Sequence, residues 1–115
     1  MKTIKAIQTL CQKIETVKAE LQNLGEMRPG SLTRQYNVCG KPHCRCKDPA
    51  HPQRHGPYYK LSYVHKGKFT TQFIKKESLD QVRTELANYK KFRRLNARWV
   101  DLALQLAKLK LHHSP

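Results

Sequence analysis

The chain has 115 residues, with 23 lysines and arginines against 8 acids and a formal charge of +15. That length suits one small domain, residues 1–115, with room for a modest core only. It holds no run of eighteen apolar residues to span a membrane, and so positive a balance argues for a polyanionic partner, nucleic acid first.

Met1-Lys2-Thr3-Ile4-Lys5 carries charge where a secretory signal needs apolar residues, so a reducing cytoplasmic setting is expected. Residues 4–24 follow as an amphipathic helix, the arm of a segment 1–25. Ile7, Leu10, Ile14, Val17, Leu21 and Leu24 alternate in steps of three and four, the seam of a core helix or of a coiled coil. Ile4 and Cys11 widen this seam on one flank, with Cys11 read as a small buried residue. Gly25 is the expected C-terminal cap.

Residues 26–57 form a connector and a knuckle. Met27-Arg28-Pro29-Gly30-Ser31 is turn chemistry, and Thr33–Val38 reads as a short strand or an extended lead. Cys39-x4-Cys44-x-Cys46 then puts three cysteines in eight residues, with His51 and His55 behind them. Thiolate and imidazole are the ligands of tetrahedral Zn²⁺, and a Cys3His set leaves no position for water, which makes such a site structural. Cys39, Cys44, Cys46 and His55 are the expected ligands. The Gly56-Pro57 turn favours His55, while the His-x3-His spacing keeps His51 open as the fourth ligand. Arg34, Lys41, Arg45, Lys47 and Arg54 surround the cysteines with Asp48 as the lone acid, a composition suited to phosphate contact.

Residues 58–74 read as a two-stranded hairpin. A three-residue turn at His65-Lys66-Gly67 would pair Tyr63 with Phe69, Leu61 with Thr71 and Tyr59 with Phe73. This register collects the large apolar groups on one face and is preferred to a two-residue Lys66-Gly67 turn. Lys60, Ser62, Lys68, Thr70 and Gln72 would then make the other face polar and basic. An isolated hairpin is marginal, so its apolar face must lie on a helix.

Residues 76–111 contain neither Gly nor Pro and read as a long amphipathic helix. Leu79, Val82, Leu86 and Tyr89 make one stripe; Phe92, Leu95, Trp99, Leu102, Leu106 and Leu109 make another. The step between them rotates the apolar face. Either one helix changes partner midway, or it breaks near residues 90–96. The second stripe matches the first helix in length, so the two pair within one chain or across a homodimer. Lys90, Lys91, Arg93 and Arg94 lie between the stripes as a second basic surface. The acids, seven of them in or beside helices, read as surface solubilisers. No Gly-rich phosphate loop or nucleophile elbow is present, and an enzyme is not expected.

Cys39-Gly40-Lys41-Pro42-x-Cys44-Arg45-Cys46, with His55-Gly56-Pro57-Tyr58-Tyr59 and Asn88-Tyr89-Lys90-Lys91-Phe92-Arg93-Arg94-Leu95, resembles a set of short prokaryotic Cys-rich domains of unknown function often met near transposase and other mobile-element genes. The resemblance covers about residues 30–99 and leaves the first helix outside. It implies a Cys3His cluster, onto which Cys39, Cys44, Cys46 and His55 map one by one, and an association with mobile DNA.

The expected architecture is therefore α+β: an N-terminal helix, a zinc knuckle, a hairpin and a long C-terminal helix. The expected function is nucleic-acid binding, as an accessory of a mobile element or an RNA–protein complex. Arg34, Lys41, Arg45, Lys47, Arg54, Lys60, Lys68 and the 90–94 run would meet phosphates, while Tyr36 and Tyr58 are candidates to stack on bases. Stacking groups with few base-reading side chains favour RNA over DNA. The other reading is an adaptor whose amphipathic helices recruit a transposase or nuclease.

Overall fold

The computed structural model describes residues 2–37, 43–51, 53 and 55–113. Helix α1 spans Lys2–Gln22, strand β1 Ser31–Asn37, β2 His55–His65, β3 Lys68–Ile74 and helix α2 Leu79–His113. Short 3₁₀ turns occupy Arg45–Lys47 and Lys76–Ser78. The chain forms two compact units, Met1–Met27 with Ala87–Pro115, and Arg28–Leu86.

The first unit is a helical pair within one chain. Leu10, Ile14 and Val17 of α1 bury against Leu95 and Leu102 of α2. Leu21, Leu24, Trp99, Leu106 and Leu109 close over them. The three-four alternation thus gives a two-helix seam, and Lys18 lays its ammonium over the Trp99 ring at 5.3 Å. The seam is narrower than its sequence suggests, since Ile4 and Cys11 are both exposed. Position 11 sits about 100° round the helix from Leu10, off the buried line. Gly25 is not the cap either: the helix has ended at Gln22, and Gly25 is not among the left-handed glycines. Just beyond, the amide of Asn88 donates to the Glu26 carbonyl at 2.8 Å.

The second unit is a three-stranded antiparallel sheet in the order β1-β2-β3, covered on one face by the start of α2. The lead to the cysteines is thus a full edge strand, with Leu32 opposite Leu61 and Arg34 opposite Tyr59. Leu61, Ile74, Leu79, Val82 and Leu86 form the core, flanked by Leu32, Tyr59 and Tyr63. The long helix is continuous from Leu79 to His113, so the rotation of its stripe reflects a change of partner without a break.

The hairpin register differs from the expected one. Tyr59 faces Ile74, Leu61 faces Gln72, Tyr63 faces Thr70 and His65 faces Lys68. The turn is therefore the two-residue Lys66-Gly67, with φ of 51° and 77°. Positive φ at both positions is the type I′ turn, whose twist matches that of the strands it joins. Turn geometry outweighs the collection of every aromatic on one face. Phe69 and Phe73, at 66% and 65% exposure, stand on the outer face opposite Val64 and Lys60. Thr70 and Gln72, expected to face outward, pair with the strand positions of the inner face instead.

Glu85 is not a surface solubiliser. It is 7% exposed, and its Oε1 lies 2.9 Å from Arg28 Nε, an ion pair without the alignment of a hydrogen bond. The Arg28 amide also donates to the Glu85 carbonyl at 3.2 Å, so this pair fixes the chain where it enters the sheet. A carboxylate buried this far is tolerated because its counter-ion is in place.

Candidate metal centre

The cluster grows out of the far end of the β1–β2 ladder. His55 is the first residue of β2 and lies opposite Asn37 at the end of β1, past an irregularity in the pairing between Gln35 and Asn37. Gly56 makes this irregularity possible. Its φ is 132°, and a Cβ there would sit 2.8 Å from the Gln35 carbonyl oxygen and 3.2 Å from the Tyr36 ring. Only glycine lets the two backbones approach so closely. Gly56-Pro57 thus opens a strand, where a free-standing turn had been expected. Gly56→Ala is expected to cost about 2–4 kcal/mol from left-handed strain and backbone overlap. It should also displace His55, which thermal unfolding together with metal content would report.

The cysteines arrive on a 3₁₀ turn. Cys44 precedes it with extended backbone, and Cys46 lies inside it at 2% exposure. The Lys47 amide donates to the Cys44 carbonyl at 3.0 Å and the Asp48 amide to that of Arg45 at 3.1 Å. The turn is held from behind. Asp48 Oδ1 accepts from the amides of Ala50 and His51 at 2.9 and 3.4 Å. The Gln53 amide reaches back to the Arg45 carbonyl at 2.9 Å. This closed loop returns the chain to His55.

Cys44 Sγ stands 3.0 Å from His55 Nε2, and the ligand atoms of Cys44, Cys46 and His55 all lie within 4.8 Å of one another. Bonds of about 2.0–2.3 Å to a tetrahedral ion would space neighbouring donors by roughly 3.4–3.8 Å. The separations here, from 3.0 Å up to 4.8 Å, bracket that spacing, and the set could hold a small metal ion after a small adjustment. His55, and not His51, stands with the cysteines; His51 is exposed and only its amide is engaged in the loop. Cys39, Lys41 and Arg54 lie outside the described residues.

The remaining expected contact residues fall in three places. Arg45 and Lys47 flank Cys46 on its own turn, both exposed. Arg34, Tyr36, Tyr58, Lys60 and Lys68 belong to the sheet, where the Arg34 guanidinium lies 5.8 Å from the Tyr36 ring centroid. Lys90, Lys91, Arg93 and Arg94 are exposed on α2 in the helical unit. The sequence reading did not foresee Phe69 and Phe73 on an open face. The adjoining Gly67 was the available signal, since glycine suits the second position of a two-residue turn that moves both rings outward.

Among the described residues no helix is long and apolar enough to cross a membrane. Residues 7–84 match a family described as a domain of unknown function, DUF6788. The match takes in most of α1, beyond the reach of the motif resemblance, and stops before the basic run on α2. No curated protein and no solved structure matches the chain significantly.

Proposed function

The chain belongs to the DUF6788 family, and on that premise we propose that it is a nucleic-acid-binding accessory protein built around a structural Cys3His zinc site. The observation that carries this reading is the turn in which exposed Arg45 and Lys47 bracket a buried Cys46 beside Cys44 and His55. A metal at that point would rigidify a basic loop, and a rigid cation meets a phosphate at lower entropic cost than a mobile one.

Cys39 is taken as the fourth ligand, as the motif resemblance implies. Three thiolates and one imidazole select Zn²⁺ over harder cations. With four protein ligands, no coordination position is left for water or substrate, so the role is structural and the protein is not an enzyme.

Phosphate contact would come from Lys41, Arg45, Lys47 and Arg54 around the metal, from Arg34, Lys60 and Lys68 on the sheet, and from Lys90, Lys91, Arg93 and Arg94 on α2. Tyr36 and Tyr58, both exposed, add stacking surface and favour RNA over duplex DNA. Service to a mobile element or an RNA–protein complex in the cytoplasm accords with the motif resemblance. The adaptor reading, with a transposase or nuclease recruited along the helices, is weaker because the two seams it needs are buried against each other.

Fluorescence anisotropy over a salt series tests this. The wild type should bind a structured RNA with log K falling linearly with log salt, and Arg45→Glu/Lys47→Glu should weaken binding at least about tenfold and flatten the slope by about 2. Binding indifferent to salt and to these changes would overturn the proposal. Nucleic acid recovered with the native protein, divided by RNase and DNase sensitivity, identifies the polymer.

A further inference from the structure

Among the described residues nothing covers the outer face of β2–β3, which is aromatic. Val64 and Phe69 form one directly opposed pair and Lys60 and Phe73 another, with Ser62 and Thr71 between them. Tyr58 joins at one end, its ring edge-on to Phe73 at a centroid distance of 6.4 Å. Tyr58, Val64, Phe69 and Phe73 are all exposed. Single exposed apolar residues are ordinary, but a row of them along one sheet face marks a contact surface.

The charge around this face selects the partner. From His55 to Lys76 the chain carries five lysines and no Asp or Glu. Lys68, opposite His65, belongs to the other face, which leaves Lys60, Lys66, Lys75 and Lys76 on or beside this one. Beside the Tyr58–Phe73 pair lies a cavity of about 290 Å³, lined by Pro57, Tyr58, Tyr59, Phe73, Ile74, Lys75 and Lys76. An aromatic wall with two lysines in the lining suits a planar ring attached to an anion. Phe69 and Phe73 stand four residues apart on β3, about 13 Å, so each would serve a different ring.

We propose that this face binds the unpaired bases of single-stranded nucleic acid. One base occupies the cavity against Tyr58 and Phe73, with its phosphate on Lys75 and Lys76, and another stacks on Phe69. Stacking is indifferent to base identity, so binding has little sequence preference. The inference rests on the nucleic-acid reading above and assigns it a second surface, separate in its residues from the basic turn around Cys46. Unpaired bases are required because a duplex hides its rings within its own stack.

The test compares labelled twelve-nucleotide oligo-U and oligo-dT with a twelve-base-pair duplex, each against the full-length protein. Both phenylalanines are exposed, so Phe69→Ala/Phe73→Ala should fold normally. It should bind the single strands roughly 10- to 100-fold more weakly, with the salt slope unchanged because no phosphate contact is lost. Phe73→Trp should retain affinity. Lys75→Ala/Lys76→Ala should instead flatten the salt slope. Unequal losses for oligo-U and oligo-dT, which differ in sugar and in the base methyl, would support it equally.

Wild-type protein that binds the duplex as tightly as the single strands, with the double phenylalanine variant unaffected, would overturn this inference and leave the basic-turn reading standing. Binding to none of the three would overturn both. Loss of self-association in the double variant by sedimentation, with nucleic-acid affinity intact, would make the face a contact between two copies and would also overturn it.

Discussion

Purified protein is expected to carry about one zinc per chain, and Cys46→Ser is expected to lose it. In small zinc modules the metal's binding energy, about 10–16 kcal/mol in zinc-finger peptides, is folding energy, because the ligands gather only in the folded state. Here the effect should be regional. Tyr59, Leu61, Tyr63 and Ile74 lie in a hydrophobic core with Leu79, Val82 and Leu86, and that core does not include the cysteine turn. The 3₁₀ turn at Arg45–Lys47 and the loop closed by Gln53 are held by local backbone hydrogen bonds. Hydrogen exchange should therefore rise at residues 43–57 in Cys46→Ser, or after chelation, and stay low through β3. Zinc added back after chelation should restore protection. Native protein that is metal-free, with residues 43–57 protected all the same, would remove zinc from the account. Loss of protection throughout the sheet would mean that the metal and the core fold as one unit.

Leu61→Ala should be the most damaging single substitution in the sheet. Leu61 is 0% exposed, on the central strand, opposite Leu32 on one side and Gln72 on the other. Removing its side chain leaves a cavity that neither neighbouring strand can fill without breaking its ladder, at a cost of about 3–5 kcal/mol. That is a large share of the 5–15 kcal/mol typical of a small domain. Phe73→Ala removes a larger side chain yet should cost about 1 kcal/mol or less, since Phe73 stands on the open face and loses chiefly its edge contact with Tyr58. The pair discriminates between registers. Had the turn been three residues long, Phe73 would lie opposite Tyr59 in the core, and its truncation would rival that of Leu61. Denaturant midpoints for the two variants decide the matter, with a comparable loss for Phe73→Ala counting against the two-residue turn.

Three cysteines in eight residues, with histidines close behind, pointed to metal-ligand chemistry, and the structure gathers Cys44, Cys46 and His55. The choice of His55 over His51 followed from strand pairing. β1 ends opposite His55, and the Asp48 carboxylate engages the His51 amide in the loop. Spacing alone is compatible with either histidine.

The sequence by itself determined the helices and the stripes they carry, because a period of 3.6 residues and the absence of Gly and Pro after residue 67 apart from the tail are local properties of the chain. It also determined the positive charge and the cysteine cluster. Only the tertiary structure decided that the lead to the cysteines is a third strand, that Glu85 is buried with Arg28, and that Phe69 and Phe73 face outward. Each of these turns on a balance between distant groups. An edge strand needs a partner ladder, a buried carboxylate needs its counter-ion, and hairpin register follows the two φ angles at Lys66-Gly67 once one helix and one face of the sheet have supplied the core.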